Sequence, residues 1–173
     1  MAEVIAVAAS LVECGELAEG ATVDLDAGLV RVEDVLKARE VFRRGWYSGS
    51  GEHFRGVDLP EDAGVLAGLL PVTLSVVEPW AGDLLERAPE VLRAATWGQI
   101  AWFALSWPAV PELSLGPEHA RTGVQACFNI DANHEPVSGH TVYVHVRPDE
   151  GERAQHLARL IGHDVIGPSE RGW

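Results

Sequence analysis

Cys127 and His145 are of the residue types that perform nucleophilic catalysis, and they lie on opposite arms of one predicted β-hairpin. A thiol becomes a nucleophile when a nearby base lowers its pKa, and an imidazole can be that base. Asp131 or Asn129 could orient the imidazole, while Tyr143 shares its predicted face of the strand. The alternative is an inert Cys127 that fills space between apolar neighbours. The candidate catalytic residues are Cys127, His145 and Tyr143.

The loop between these arms carries side chains with the donor atoms of a metal site. The carboxylates of Asp131 and Glu135 and the imidazoles of His134 and His140 could reach a divalent ion. Their spacing contains neither H-x-x-x-H nor H-x-H, and the chain has no CxxC. Loop histidines are also common on solvated surfaces. We therefore expect no metal and no cofactor.

A third candidate site is a small-molecule pocket lined by aromatic side chains. Residues 97–107 read WGQIAWFALSW, which places Trp102 and its aromatic neighbours in one apolar segment. A histidine beside such a pocket, His53, His119 or His145, could act as a general acid or base. The alternative is that these rings fill the core, since large aromatic side chains dominate cores as readily as pockets.

Residues 46–56, W-Y-S-G-S-G-E-H-F-R-G, combine glycines with large aromatic residues and predict a surface loop. The segment lacks the lysine pattern of a P-loop and the three-glycine dinucleotide pattern, so no phosphate role is predicted. Exposed aromatic side chains anchor protein partners, although loop aromatics often fold back onto the core. The candidate binding residues are Trp46, Tyr47, His53 and Phe54, together with Trp102 of the apolar segment.

The chain is strongly acidic, with 26 acidic and 13 basic residues and a net charge of −13. Nucleic-acid binding requires a basic surface, so this charge argues against a nucleic-acid partner. Residues 1–34 hold eight of the acids and one arginine, which gives that segment a charge of −7. It is either a solvated face or a docking surface for a basic protein partner.

No apolar run approaches the roughly 18 residues that a membrane helix needs, so no membrane association is expected. The first ten residues are apolar, but they include Glu3 and no basic residue, which argues against a secretory signal. Two cysteines, Cys14 and Cys127, are too few for a disulfide framework in a chain of 173 residues. We expect a cytoplasmic protein with reduced thiols.

The arms of the hairpin at 123–147 alternate with period two, which predicts two half-buried strands. A slip of one residue would exchange the apolar and polar rows, so the register should pair odd with odd positions. Cys127 or Asn129 opposite His145 would satisfy this rule. The apolar row consists of Val124, Ala126, Phe128, Ile130, Val142, Val144 and Val146.

The remaining predicted elements follow from helical spacing, alternation and turn residues. Residues 2–19 suit a helix, although 4–7 could begin a strand, and 22–26 with 29–32 read as a short hairpin. The other elements are a helix at 33–44 capped by Gly45, a short helix between Pro60 and Pro71, a strand at 72–77, a helix at 84–95, a strand at 97–107, a proline-rich loop at 108–117, a helix that begins with an Asp149/Glu152 capping box and ends at Gly162, and an edge strand at 164–166.

This order predicts an α+β fold: a mostly antiparallel sheet with helices packed on one face, built on a split-βαβ-like core with an N-terminal hairpin and helix extension. We expect one globular domain over 1–173, with 57–173 as the core and 1–56 extending the sheet. Because no specific catalytic motif is present, the first functional hypothesis is a non-enzymatic protein that binds a protein partner through its acidic surface and the 46–56 loop. The alternative is a small metal-free enzyme that acts on an apolar small molecule in a Trp-lined pocket, using a histidine or Cys127.

Overall fold

The computed structural model describes residues 1–167. It contains five α-helices, one 3-10 helix and eight β-strands. In chain order these are α1 (Ala2–Val12), β1 (Glu16–Leu17), β2 (Thr22–Leu29), α2 (Val32–Val41), β3 (Trp46–Gly49), β4 (Glu52–Arg55), α3 (Ala63–Leu69), β5 (Val72–Pro79), α4 (Leu84–Leu92), β6 (Trp97–Trp107), η1 (Pro111–Leu113), β7 (Glu118–Ile130), β8 (Pro136–Val144) and α5 (Gly151–Leu160).

The strands form one antiparallel sheet in the order β4-β3-β5-β2-β6-β7-β8, with short β1 paired to the far end of β6. The connection β5-α4-β6 leaves β2 between its two strands, as in a split βαβ unit. One buried cluster contains side chains from all five helices and from one face of the sheet. The predicted α+β fold with a mostly antiparallel sheet is confirmed.

The predicted hairpin at 123–147 is present as β7 and β8. Val124 pairs with Val144 and Ala126 with Val142, so odd positions pair with odd and even with even. The buried side of β7 carries Val124, Ala126 and Phe128, as the alternation predicted. Strand β6 is also confirmed, and its centre is buried on both faces because β2 and β7 flank it.

Three predictions in the N-terminal third are wrong. The hairpin at 22–32 is one continuous strand, β2, because residues 26–28 pair on both sides with β5 and β6 instead of turning. Helix α1 ends at Val12, and α2 ends at Val41 with Phe42 as its C-cap. Gly45 therefore does not cap α2, and Arg43 and Arg44 lie beyond the helix.

The predicted loop at 46–56 is a β-hairpin, β3–β4, added to the sheet edge through β5. Its two turn residues, Ser50 and Gly51, have φ values of 49° and 80°. Positive φ at both central residues is the requirement of a type I′ hairpin turn. Ser50 and Gly51 thus close a tight turn in place of the predicted long loop.

Two predictions near the C-terminus are also wrong. Helix α5 has Glu150 as its N-cap, with no capping bond from a side chain, so Asp149 and Glu152 form no capping box. The Glu150 carboxylate binds Arg153 instead. Residues 164–166 form no strand. The proline-rich loop is present, interrupted by η1.

Candidate functional site

A row of hydrogen-bonded polar side chains crosses the sheet face opposite the helices. Asp26 lies near one end of this row and accepts two hydrogen bonds, from Ser75 Oγ at 2.6 Å and from Gln99 Nε2 at 2.8 Å. Gln99 and Asp26 are register partners on β6 and β2, and Ser75 is the partner of Asp26 on β5. The pleat of the sheet places all three on one face.

The row continues through Gln125 on β7 to His145. Gln125 Nε2 donates to Gln99 Oε1 at 2.6 Å, and Gln125 Oε1 lies 3.1 Å from His145 Nε2. Gln99 and Gln125 are buried, so their amides depend on these bonds. We call Ser75, Asp26, Gln99, Gln125 and His145 the polar row.

The carboxylate of Asp26 fixes the direction of every bond in the polar row. Only an N–H can face the carboxylate, so Gln99 presents its Nε2 to Asp26 and its Oε1 to Gln125. Gln125 must then donate to Gln99 and accept from His145. His145 therefore carries its proton on Nε2, and Nδ1 holds the lone pair of the neutral ring.

Burial lowers the pKa of His145, which favours the neutral imidazole; with the proton on Nε2, the lone pair of that neutral ring lies on Nδ1. Asp24 lies next to Asp26 on the same face of β2. Burial raises the pKa of Asp24, a hydrogen bond from Thr22 lowers it, and the neighbouring Asp26 carboxylate raises it further. Oδ1 of Asp24 is buried and makes no hydrogen bond within residues 1–167.

The three candidate catalytic residues lie on this polar face, but Cys127 and His145 are not opposite each other. Cys127 pairs with Thr141 and is fully buried, whereas the backbone N–H of His145 bonds to Gly123. The offset of four residues corresponds to about 13 Å along the strand. Tyr143 pairs with Gln125, the residue that binds His145. The register also leaves Asn129 far from His145.

A second feature is a cleft of about 720 Å³ between the end of α2, the start of β3, the end of β5 and the start of α4. Four arginines, Arg43, Arg44, Arg55 and Arg87, line it, and we call it the arginine cleft. The other lining residues are Val41, Phe42, Gly45, Trp46, Ser75, Val76, Val77, Glu78 and Asp83. It concentrates almost a third of the chain's basic residues, 13 in all, at one place.

The charges in the arginine cleft are not balanced. Arg87 is paired, at 2.5 Å with Glu78 and 2.6 Å with Asp83. Arg43, Arg44 and Arg55 form no ion pair with any carboxylate of residues 1–167. Two acids against four arginines leave a local excess of two positive charges in a chain whose net charge is −13.

An exposed apolar pair lies beside these arginines. Trp46 is 46% exposed and Val77 is 62% exposed. Trp46 pairs with Ser75 across β3 and β5, so Val77 is its diagonal neighbour on the same face. The Arg55 guanidinium covers the Trp46 ring at 4.0 Å. Tryptophan and arginine are the side chains that most often dominate protein-binding interfaces.

The other candidate binding residues of this hairpin have different surroundings. Tyr47 is fully buried and donates its hydroxyl to the Phe42 carbonyl at 3.2 Å. His53 is exposed, with Nδ1 2.8 Å from the Ser48 hydroxyl, and Phe54 is partly buried against the core. Trp46 is thus the one aromatic ring of the hairpin that faces solvent widely.

Trp102 lies in the core with no exposed surface. Trp107 is equally buried and donates its Nε1–H to the His145 carbonyl at 2.9 Å. Of the tryptophans in residues 97–107, Trp97 lines a cavity, of about 440 Å³, together with His134. His119 is exposed, with Nδ1 3.3 Å from Ser106 Oγ.

The side chains considered for a metal site do not converge. No group of three or more His, Cys, Asp or Glu side chains in the described part of the chain could hold an ion. The His134 ring contacts Trp97 and the His140 ring contacts Phe128. Asp131 Oδ1 accepts the backbone N–H groups of Asn133 and Glu135, which orders the β7–β8 connection.

A buried ionic cluster around Arg153 was not foreseen from the sequence. Arg153 is completely buried and donates to the backbone carbonyls of Pro108 at 2.6 Å and Gly116 at 2.5 Å. Its Nε lies 2.6 Å from the Glu150 carboxylate and 3.2 Å from that of Glu118. The cluster attaches the proline-rich segment to α5. The position of Arg153 four residues before the buried Leu157, and so on the same side of α5, was the available signal in the sequence.

Comparison with protein-family models, with curated proteins and with solved structures finds no match to this chain. Among residues 1–167, no helix has both the length and the apolar character needed to cross a membrane.

Proposed function

We propose that the protein acts by binding a protein partner, and that it does so at the arginine cleft and the adjoining β3–β4 hairpin. The observation that carries this proposal is the juxtaposition of exposed Trp46 and Val77 with three arginines that form no ion pair within residues 1–167. The apolar pair would form the dry centre of an interface and the arginines its charged surroundings.

The charge of the cleft supports an acidic segment of the partner. The sequence alone suggested a basic partner attracted by the acidic N-terminal third. Within that third, Asp34 is buried against Arg31 and Asp26 belongs to the polar row, so two of its eight acids already have partners within the fold. An arginine binds a carboxylate with two parallel hydrogen bonds, which a partner with Asp or Glu beside an apolar residue would provide. We propose that this binding takes place in the cytoplasm, a reducing compartment in which thiols such as those of Cys14 and Cys127 stay reduced.

Fluorescence anisotropy with a labelled library of acidic peptides, each containing one large apolar residue, tests the proposal. We expect a subset to bind, with affinity that falls as salt increases. Trp46→Ala and Arg43→Glu/Arg44→Glu should each weaken binding by about tenfold or more. Arg121→Glu, an exposed charge reversal on β7, is the matched control and should leave affinity nearly unchanged. Equal binding of the peptides to the wild type and to the three variants would refute this assignment of the site.

A second candidate function is acid–base catalysis by His145, and it rests on a different observation. The polar row supports a neutral ring with its lone pair on Nδ1, which is the form a general base needs. Hydrolysis of p-nitrophenyl acetate by the wild type, His145→Gln and His163→Gln provides a first test. A rate that fell only in His145→Gln would support catalysis, and equal rates for all three proteins would count against it.

A further inference from the structure

The cavity beside Trp97 lies between the start of β6 and the β7–β8 connection, away from the arginine cleft. Its volume of about 440 Å³ falls within the usual range for small-molecule sites. Six residues line it: Thr96, Trp97, Asn129, Ile130, His134 and Pro136. We refer to it as the Trp97 cavity.

The indole wall of this cavity is held in place before any ligand enters. On one side Trp97 lies against the backbone of Gly28, where a Cβ would overlap the indole nitrogen. The His134 ring meets it nearly perpendicularly, at 86° and a centroid separation of 6.4 Å. A preordered aromatic surface reduces the entropy that a ligand must offset.

The polar groups of the cavity can still accept hydrogen bonds. Asn129 uses its Nδ2 to bond the Thr96 carbonyl at 3.1 Å, which leaves its Oδ1 as an acceptor. Thr96 donates its hydroxyl to the Gly28 carbonyl at 3.2 Å and keeps lone pairs on that oxygen. A ligand with an N–H or O–H group would match these acceptors.

The charge of the lining restricts the ligand further. None of the six lining residues is Asp, Glu, Lys or Arg, although such residues make up 23% of the chain. An ionised ligand would lose hydration here, and no Asp, Glu, Lys or Arg in the lining would offer it an opposite charge. The lining thus favours an uncharged molecule.

From these observations we propose that the Trp97 cavity is a binding site for an uncharged small molecule with an aromatic ring and one hydrogen-bond donor. The ring would pack against Trp97, Ile130 and Pro136, and the donor would bond Asn129 or Thr96. This site does not depend on the protein-binding role of the arginine cleft.

Ligand-observed NMR titration with three probes of similar size tests the proposal: indole, 1-methylindole and indole-3-acetate. Indole carries an N–H and no charge, 1-methylindole lacks the donor, and indole-3-acetate is an anion. We expect indole to bind the wild type at least tenfold more tightly than indole-3-acetate and more tightly than 1-methylindole. Absence of indole binding at millimolar concentration, or preference for the anion, would overturn the proposal.

Two variants locate the bound probe, with one control. Trp97→Ala should abolish indole binding, whereas Trp46→Ala, which removes a tryptophan outside the cavity, should not. Asn129→Gly removes the amide at a position where φ is 60°, a conformation that glycine adopts without strain, so the fold is retained. In Asn129→Gly, the affinity for indole should fall to the affinity that the wild type has for 1-methylindole. Indole affinity unchanged in both cavity variants would overturn the assignment.

Discussion

The Arg55 guanidinium lies 4.0 Å from the centre of the Trp46 ring, directly across the β3–β4 hairpin. The same guanidinium donates to the Arg44 carbonyl at 2.8 Å, just before β3 begins. Arg55 therefore holds the Trp46 ring at the surface and connects it to the α2–β3 segment that carries Arg43 and Arg44. The next residue, Tyr47, alternates to the opposite face and is buried in the core.

Substitutions of Trp46 and Tyr47 should differ strongly in their effect on the free energy of unfolding. Trp46→Ala should lower the free energy of unfolding by about 1 kcal/mol or less, since the ring is widely exposed and a cation–π contact at such a site contributes about 0.5–1 kcal/mol. Tyr47→Ala should cost about 3–5 kcal/mol through the cavity it leaves. Tyr47→Phe should cost about 1 kcal/mol for the lost bond to Phe42. Urea denaturation measures all three, and equal losses for Trp46→Ala and Tyr47→Ala would contradict the burial pattern.

Asp26→Asn tests how much the charge on the Asp26 acceptor contributes to stability. Asn can present its Oδ1 to Gln99 and its Nδ2 to Ser75, whose hydroxyl can accept, so both contacts survive without the charged acceptor. We expect a loss of about 2 kcal/mol in the free energy of unfolding, the usual scale for a hydrogen bond to a charged group.

Asp24→Asn is the matched control for this loss, because it removes the same charge from the same strand face. Burial raises the pKa of Asp24, so its ionised form is disfavoured in the folded state. The substitution should therefore leave stability at pH 7 unchanged or raise it. A loss in Asp24→Asn equal to that in Asp26→Asn would show that net charge, and not the hydrogen bonds to the Asp26 carboxylate, causes the loss of stability.

The pKa of His145 predicts a specific dependence of stability on pH. Because burial lowers this pKa below the ordinary value of 6.5, the unfolded chain binds a proton more readily than the folded protein. The stability contributed by neutral His145 is complete above pH 6.5 and is lost as pH falls through the lowered pKa. The free energy of unfolding of the wild type, relative to His145→Gln, should decline over this interval. His163→Gln, at an exposed histidine, should show the same dependence of unfolding free energy on pH as the wild type. If His145→Gln also showed that dependence, the predicted lowering of the His145 pKa would be excluded.

Periodicity predicted the sheet well where one face is apolar and the other polar. The alternation of β7 and β8 gave the odd-to-odd register and the buried row, because a one-residue slip would bury the polar side chains. The doubly apolar segment 97–107 likewise indicated a central strand. These features depend on local sequence and on burial alone.

The errors arose where distant partners decide the structure. Residues 26–28 contain turn-forming types, yet Asp26 is bonded to Ser75 and Gln99, and Gly28 gives space to the Trp97 ring. These partners lie 49 to 73 residues away in sequence. Local propensity cannot report such contacts, so a turn was predicted in place of a strand.

The same limit applies to the candidate sites. Trp46 and His145 were identified by residue type, but their surroundings were not. The polar row needs Gln99 and Gln125, polar residues within buried strands, and the arginine cleft needs Arg87 from α4 beside the end of α2. A glutamine in the apolar run WGQIAWF was a visible signal of a buried polar contact.

Glu118 and Glu150 both approach the fully buried Arg153, and they should respond oppositely to loss of charge. Burial, together with the adjacent Glu150 carboxyl, raises the pKa of Glu118, whereas the hydrogen bond from Arg153 lowers that of Glu150. Arg153 lies closer to Glu150, at 2.6 Å, than to Glu118, at 3.2 Å, and Arg147 adds a second positive charge 3.6 Å from Glu150.

Glu118→Gln should therefore stabilise the protein at pH 7, by about 3 °C in Tm, the shift expected from about 1 kcal/mol in a chain of this size. A raised pKa means that the folded state binds the proton more tightly, so stability from Glu118 is complete below its ordinary value of 4.5 and is lost as pH rises through the raised value. The Tm difference between Glu118→Gln and the wild type should consequently disappear near pH 4 and grow toward pH 7. Glu150→Gln should instead lower Tm at pH 7, because Arg153 loses its closest carboxylate acceptor. Thermal unfolding followed by circular dichroism across this pH range measures both effects, and a decrease of Tm in both variants at pH 7 would mean that Arg153 requires the two carboxylates together.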